Sequence, residues 1–145
     1  MPFLTKATKS LTDRLPPVIS PGVHAAIDYG VAGVFLLSSL AFWKRNRPAA
    51  VAAMICGGSE LLLAAMTDYP GGLVRDLSFR AHGRIDSGLP LLVASLPEFL
   101  KFTHTNQSRL FDVQAIAMAA TAGLTDFEGT GKSKQLARLE EEGAA

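Results

Sequence analysis

The sequence is short of cysteine and of charge, and both shortages limit what the protein can be. Cys56 is the only cysteine among 145 residues, which excludes an internal disulfide framework and a zinc site built from several cysteines. Charged residues make up 19% of the chain and the net charge is +1, whereas soluble domains carry about 25% charged residues. This even balance gives no support to nucleic-acid binding, which usually needs a strong basic excess.

Apolar residues are plentiful and form four long blocks. These are residues 22–43, 48–66, 84–102 and 110–124. None alternates with period two, as a half-buried strand does, and each is rich in Ala, Leu and Met, which favour helices. Their lengths approach the roughly 20 apolar residues of a membrane span. The sequence therefore predicts an all-α protein, a four-helix membrane bundle, with a soluble and very apolar four-helix bundle as the alternative.

Two prolines interrupt the third apolar block. Pro90 and Pro97 both lie inside residues 84–102. Each proline lacks a backbone N–H and so removes one hydrogen bond from a helix. We therefore expect this block to be kinked or divided.

An internal repeat organises the chain. Residues 20–71 align with residues 78–129 at a constant offset of 58 and without gaps. The pattern H-x-x-I-D-x-G opens both halves, and T-D-[YF]-x-G closes both. The sequence predicts two tandem helical hairpins related as parallel repeats, with residues 72–77 as their linker. Residues 1–19 are predicted to be a tail or a surface helix, and residues 130–145 a polar tail.

The repeated polar residues fall at helix ends that two tandem hairpins place on one side. His24 and Asp28 are four residues apart and share one helix face, as do His82 and Asp86. One interpretation is a non-enzymatic clasp, in which these side chains bond the helix ends together. An alternative is a redox protein in which His24 and His82 bind a haem or a metal ion. The predicted cluster contains His24, Asp28, Thr67, Asp68, His82, Asp86, Thr125 and Asp126, and no catalytic residue is predicted.

Glu60 is a carboxylate deep in the second predicted helix. The repeat offers no counterpart, because Met118 occupies the equivalent position. An ionisable group within a membrane helix is a candidate functional residue, which suggests a small transporter or channel oligomer. The alternative is a protonated side chain that is bonded within the bundle.

The distribution of basic residues predicts the orientation of the chain in the membrane. The side that carries both tails holds nine Lys or Arg residues and the opposite side holds five. The positive-inside rule then places both termini in the cytoplasm of a multi-pass inner-membrane protein. The predicted partners are the lipid bilayer and a second copy of the chain, and no nucleic acid.

Three motifs resemble those of the SPW-repeat family of small bacterial membrane proteins. They are H-A-A-I-D-Y-G from residue 24, T-D-Y-P-G-G-L from residue 67 and H-G-R-I-D-S-G from residue 82. The resemblance covers about residues 20–129, and neither half contains a contiguous Ser-Pro-Trp. It implies a four-helix integral membrane protein with no assigned activity.

Overall fold

The first two apolar blocks fold into two long helices that pack side by side. In the computed structural model, which describes residues 18–127, these are α1 (Pro21–Phe42) and α2 (Arg47–Met66). Each begins after a polar N-cap residue: the Ser20 hydroxyl accepts a hydrogen bond from an amide of the first turn, and the Asn46 side chain does the same for α2. A proline in the first turn of each helix follows the expected preference.

The third block is divided, as the prolines predicted. It forms α3 (Phe79–Asp86) and α4 (Leu89–Phe99), which are separated at Ser87 and Gly88. Pro90 lies in the first turn of α4, where a missing N–H costs nothing, while Pro97 lies inside that helix. The fourth block forms α5 (Ser108–Leu124), so each predicted block is helical.

Two very short strands accompany the helices and were not predicted. The strand β1 (Thr67–Asp68) leaves α2 and pairs in parallel with β2 (Leu77–Ser78), which leads into α3. Backbone groups beyond a helix end still need hydrogen-bond partners, and this pairing supplies them. Strands of two residues are too short to produce a pattern of alternating hydrophobicity, so the sequence gives no signal for them.

The core lies between the two hairpins, α1–α2 and α4–α5. The Phe111 ring packs against Phe35, with centroids 5.6 Å apart, and against Phe102, at 5.1 Å. The Gln114 side chain donates a hydrogen bond to the Val31 carbonyl at 3.3 Å. The Phe35–Phe111 and Val31–Gln114 contacts join α1 to α5, and the Phe102–Phe111 contact lies within the second hairpin.

The two long helices, α1 and α2, are apolar and long enough to cross a membrane. The other described helices have 8, 11 and 17 residues, which is shorter than the roughly 20 residues of a full span. The structure thus contains two candidate spans where the sequence predicted four. Most of the two predicted tails lies outside the described residues. This applies to residues 1–17 of the N-terminal tail and to the whole C-terminal tail, residues 130–145.

Candidate functional site

Two buried histidines meet at the end of the bundle where α1 begins. His24 projects from the first turn of α1 and His82 from α3, and both side chains are fully buried. Their Nε2 atoms are 3.2 Å apart, and the two rings are nearly perpendicular, at 78°. The two halves of the chain, whose histidines are 58 positions apart, therefore touch through these side chains.

A threonine holds the other nitrogen of each ring, and in each case it comes from the opposite half of the chain. Thr125 Oγ1 lies 2.8 Å from His24 Nδ1, and Thr67 Oγ1 lies 2.8 Å from His82 Nδ1. Thr67 follows directly after α2, and Thr125 follows directly after α5. Both histidine rings are therefore oriented across the boundary between the halves.

The two threonine hydroxyls also fix the proton positions on the rings. Thr67 Oγ1 donates its proton to the Leu63 carbonyl at 2.6 Å, and Thr125 Oγ1 donates to the Thr121 carbonyl at 2.7 Å. A hydroxyl has one proton to donate, so each threonine oxygen accepts from the Nδ1–H of its histidine. The Nε2 atom of a neutral ring then carries a lone pair.

Two carboxylates surround the pair of Nε2 atoms. Asp28 and Asp86 are each 3% exposed. His24 Nε2 lies 3.4 Å from the nearest oxygen of either carboxylate. His82 Nε2 lies 3.5 Å from Asp28 and 3.9 Å from Asp86. Each carboxylate thus approaches both histidines, and the four groups enclose one small volume.

Burial keeps His82 neutral. Removal from water lowers the pKa of His82 to about 4, since the charged ring loses its hydration. Asp86 opposes this shift of the pKa and His24 adds to it. At neutral pH the ring therefore carries no charge, and its Nε2 lone pair is available to a cation.

Tyr69 distinguishes the two carboxylates. Its hydroxyl donates a hydrogen bond to Asp28 Oδ2 at 2.8 Å, and burial together with this bond raises the pKa of the phenol. Phe127 stands 58 residues later and has no hydroxyl for Asp86. The sequence prediction did not include Tyr69 among the site residues. The signal was present, because Tyr69 and Phe127 are the aromatic residues of the repeated T-D-[YF] motif.

Aromatic rings close the site on the remaining sides. Phe79 and Phe127 meet the His24 ring edge to face, with centroids 5.5 and 5.1 Å away. Tyr69 packs against the His82 ring, at 5.6 Å. These rings exclude water from the polar groups, which strengthens the electrostatic interactions among them.

The structure brings together six of the eight residues in the predicted cluster. These six are His24, Asp28, Thr67, His82, Asp86 and Thr125. Asp68 was also predicted to belong to this cluster, but it lies in β1 and is exposed. Asp126 is half-buried. Adjacent residues of an extended segment point in opposite directions, so Asp68 faces away when Thr67 faces the site.

Glu60 is buried as predicted, but it lies on α2 in the wall of a separate cavity. Glu60 is only 4% exposed, and it is one of the residues that line this cavity. Within the described part of the chain, no hydrogen bond to its side chain is found. The predicted internal partner for this carboxylate is therefore absent there.

No family model, curated protein or solved structure matches this chain. The resemblance to the SPW-repeat family stays a prediction, and so does the duplication. The side chains of the site are consequently the basis for inferring a function.

Proposed function

We propose that the protein binds one divalent transition-metal ion between its two halves. The ligands are Nε2 of His24 and of His82, with one oxygen each from Asp28 and Asp86. The supporting observation is the separation of 3.2 Å between the two Nε2 atoms. Since the Nδ1 atoms face threonine oxygens that already donate to carbonyls, we infer that each neutral ring carries its lone pair on Nε2. Two lone pairs at this distance repel unless a cation or a proton lies between them.

The spacing of His24, His82 and Asp86 is close to that of ligands around a tetrahedral ion. Metal–ligand bonds of about 2.0–2.1 Å place the ligand atoms of a tetrahedral zinc site about 3.3 Å apart. The two nitrogens are 3.2 Å apart, and Asp86 Oδ2 lies 3.4 and 3.9 Å from them. Asp28 approaches His24 through Oδ1, at 3.4 Å, and His82 through Oδ2, at 3.5 Å. His24, His82 and Asp86 present ligand atoms that all lie within 4.8 Å of one another. Asp28 lies outside that group, so its carboxylate would have to move toward the other three to complete the set.

The surroundings of the ligands support a structural ion more than a catalytic one. Catalytic zinc sites keep one position open to water or substrate, whereas structural sites are closed by four protein ligands. Here the four ligand side chains are buried. Thr67 and Thr125 hold the rings from behind, in the manner typical of groups that orient metal ligands. The ion would join α1 to α3 and so stabilise the folded bundle.

The predicted clasp is a second candidate, and the same contacts favour it. A proton between the histidines, balanced by Asp28 and Asp86, can occupy the place of the metal ion. The site then links the two halves through hydrogen bonds alone. Haem is a poorer fit, because a porphyrin plane must pass between the two coordinating nitrogens. Their separation of 3.2 Å leaves no room for it.

We further propose that the bundle lies in a bilayer, with α1 and α2 as membrane spans. Large apolar side chains on several helices point outward: Leu40 is 74% exposed, Ile55 60% and Ile116 70%. Extensive apolar surface on a monomer indicates contact with a membrane or with another protein. The orientation with both termini in the cytoplasm, and any assembly into oligomers, stay predictions from the sequence.

A cobalt titration tests the metal site. Co²⁺ in a tetrahedral site absorbs visible light strongly, so we expect an intense band that saturates at one Co²⁺ per chain in the purified, metal-free protein. Zn²⁺ should abolish the band by displacement, since a closed tetrahedral site of N and O ligands suits Zn²⁺, which has no geometric preference of its own. Absence of a saturable band would leave the clasp as the better assignment.

Alkaline extraction tests the membrane proposal. Membranes that contain the full chain are washed at high pH, which removes peripheral proteins. We expect the protein to remain with the lipid and to require detergent for release. Its recovery in the wash would mean that the exposed apolar side chains belong to a protein–protein interface.

A further inference from the structure

A cavity separate from the histidine site lies between α2 and the α3–α4 segment. Its volume is about 240 Å³. Buried Phe35, Val93 and Met118 form part of its wall. Ile55 and Leu92, which are 60% and 56% exposed, line it as well. The cavity therefore extends from the core to the outward-facing apolar surface of the bundle.

Glu60 contributes a carboxyl group to this apolar wall. A charged or polar group away from water is costly unless it has a partner, yet within the described residues Glu60 has no hydrogen-bond partner. None of the described residues that line the cavity is Lys, Arg or His. Since no fully buried side-chain oxygen of the described residues lacks a partner, the Glu60 carboxyl retains some accessible surface, and it is an acidic group in an otherwise largely apolar cavity.

We propose that this cavity binds an amphiphilic amine, with the alkyl chain against the apolar wall and the ammonium head at Glu60. The cavity volume of about 240 Å³ is below the roughly 300–1,000 Å³ of pockets for drug-sized molecules. It therefore suits a ligand with one short alkyl chain. The opening toward the apolar surface would give lateral access from the bilayer, a step that rests on the membrane location proposed above. This inference is independent of the metal site, whose ligands do not line the cavity.

The charge of the surroundings favours a cationic head over an anionic or neutral one. A fatty acid would place a second carboxylate beside Glu60, and no Lys, Arg or His among the described lining residues could balance the two charges. An ammonium head can donate hydrogen bonds to the Glu60 carboxylate and form an ion pair with it.

Cys56 gives a direct measure of occupancy. It is the only cysteine of the chain, and it lines the same cavity. A ligand in the cavity should shield its thiol from a small reagent such as methyl methanethiosulfonate. We expect saturating octylammonium to slow Cys56 modification at least tenfold in the full chain, reconstituted in neutral lipid. Octanol and octanoate, which share the chain length, should slow it less than threefold.

Substitution of Glu60 tests whether the cavity recognises a cation or only an apolar chain. In Glu60→Gln we expect octylammonium protection to fall to the level of octanol. The matched control is Glu98→Gln, which removes an exposed carboxylate and should retain full protection. Protection is expressed as the ratio of the rates with and without ligand for each variant, because loss of the Glu60 charge itself changes the reactivity of the Cys56 thiol. Circular dichroism shows that the variants keep the wild-type fold. Equal protection by all three amphiphiles, or no protection by octylammonium, would overturn the proposal.

Discussion

Replacing His82 with alanine is expected to weaken Co²⁺ binding by at least about 100-fold. Loss of an orienting group behind a ligand already costs 10–100-fold in metal affinity, and this change removes the ligand itself. The methyl group also leaves His24 Nε2 without the nitrogen that lies 3.2 Å away. Absorption titration with a competing chelator measures the change in affinity.

Two further variants make this test specific. His104→Ala removes the third histidine of the chain, which is exposed, and should leave Co²⁺ affinity unchanged. Thr67→Val keeps the shape of the side chain but removes the oxygen that accepts from His82 Nδ1. We expect it to weaken binding by about 10–100-fold. Equal affinity in wild type and His82→Ala would place the bound cobalt elsewhere.

Alanine at Gly57 is expected to destabilise the α1–α2 hairpin by about 1–3 kcal/mol, the usual cost of overpacking. A Cβ atom at this position would lie 2.8 Å from Leu36 Cγ and 2.9 Å from the Ala32 carbonyl oxygen. The oxygen belongs to the backbone of α1 and cannot move aside alone, so the two helices must separate. Thermal unfolding in detergent, followed by circular dichroism, measures the loss.

The neighbouring glycine provides the matched control. An added Cβ at Gly58 meets no atom within 4 Å, and alanine is intrinsically better than glycine in a helix by about 0.8–1.0 kcal/mol. Gly58→Ala should therefore be neutral or stabilising. If Gly57→Ala were as stable as Gly58→Ala, the inference that α1 and α2 are in close contact at Gly57 would be wrong.

Local patterns were enough to predict the helices. The apolar blocks, the N-cap residues Ser20 and Asn46 and the break near Pro90 depend on neighbouring residues alone, and the structure contains them all. A histidine and an aspartate four residues apart share one helix face, and this also follows from helix geometry alone. The sequence therefore determined the mainly helical architecture and which side chains share a face.

Tertiary structure decided which of those side chains meet. Thr67 contacts His82 of the other half rather than His24 of its own, and Tyr69 bonds to Asp28 across 41 positions. Neither pairing follows from spacing along the chain, because both depend on how the hairpins pack. The exclusion of Asp68 has the same origin, since a short strand turns its side chain outward. Helix formation depends on residues close together in the sequence, whereas a buried site forms only where distant segments pack against each other. The helices could therefore be predicted from the sequence, but the contacts within the histidine site could not.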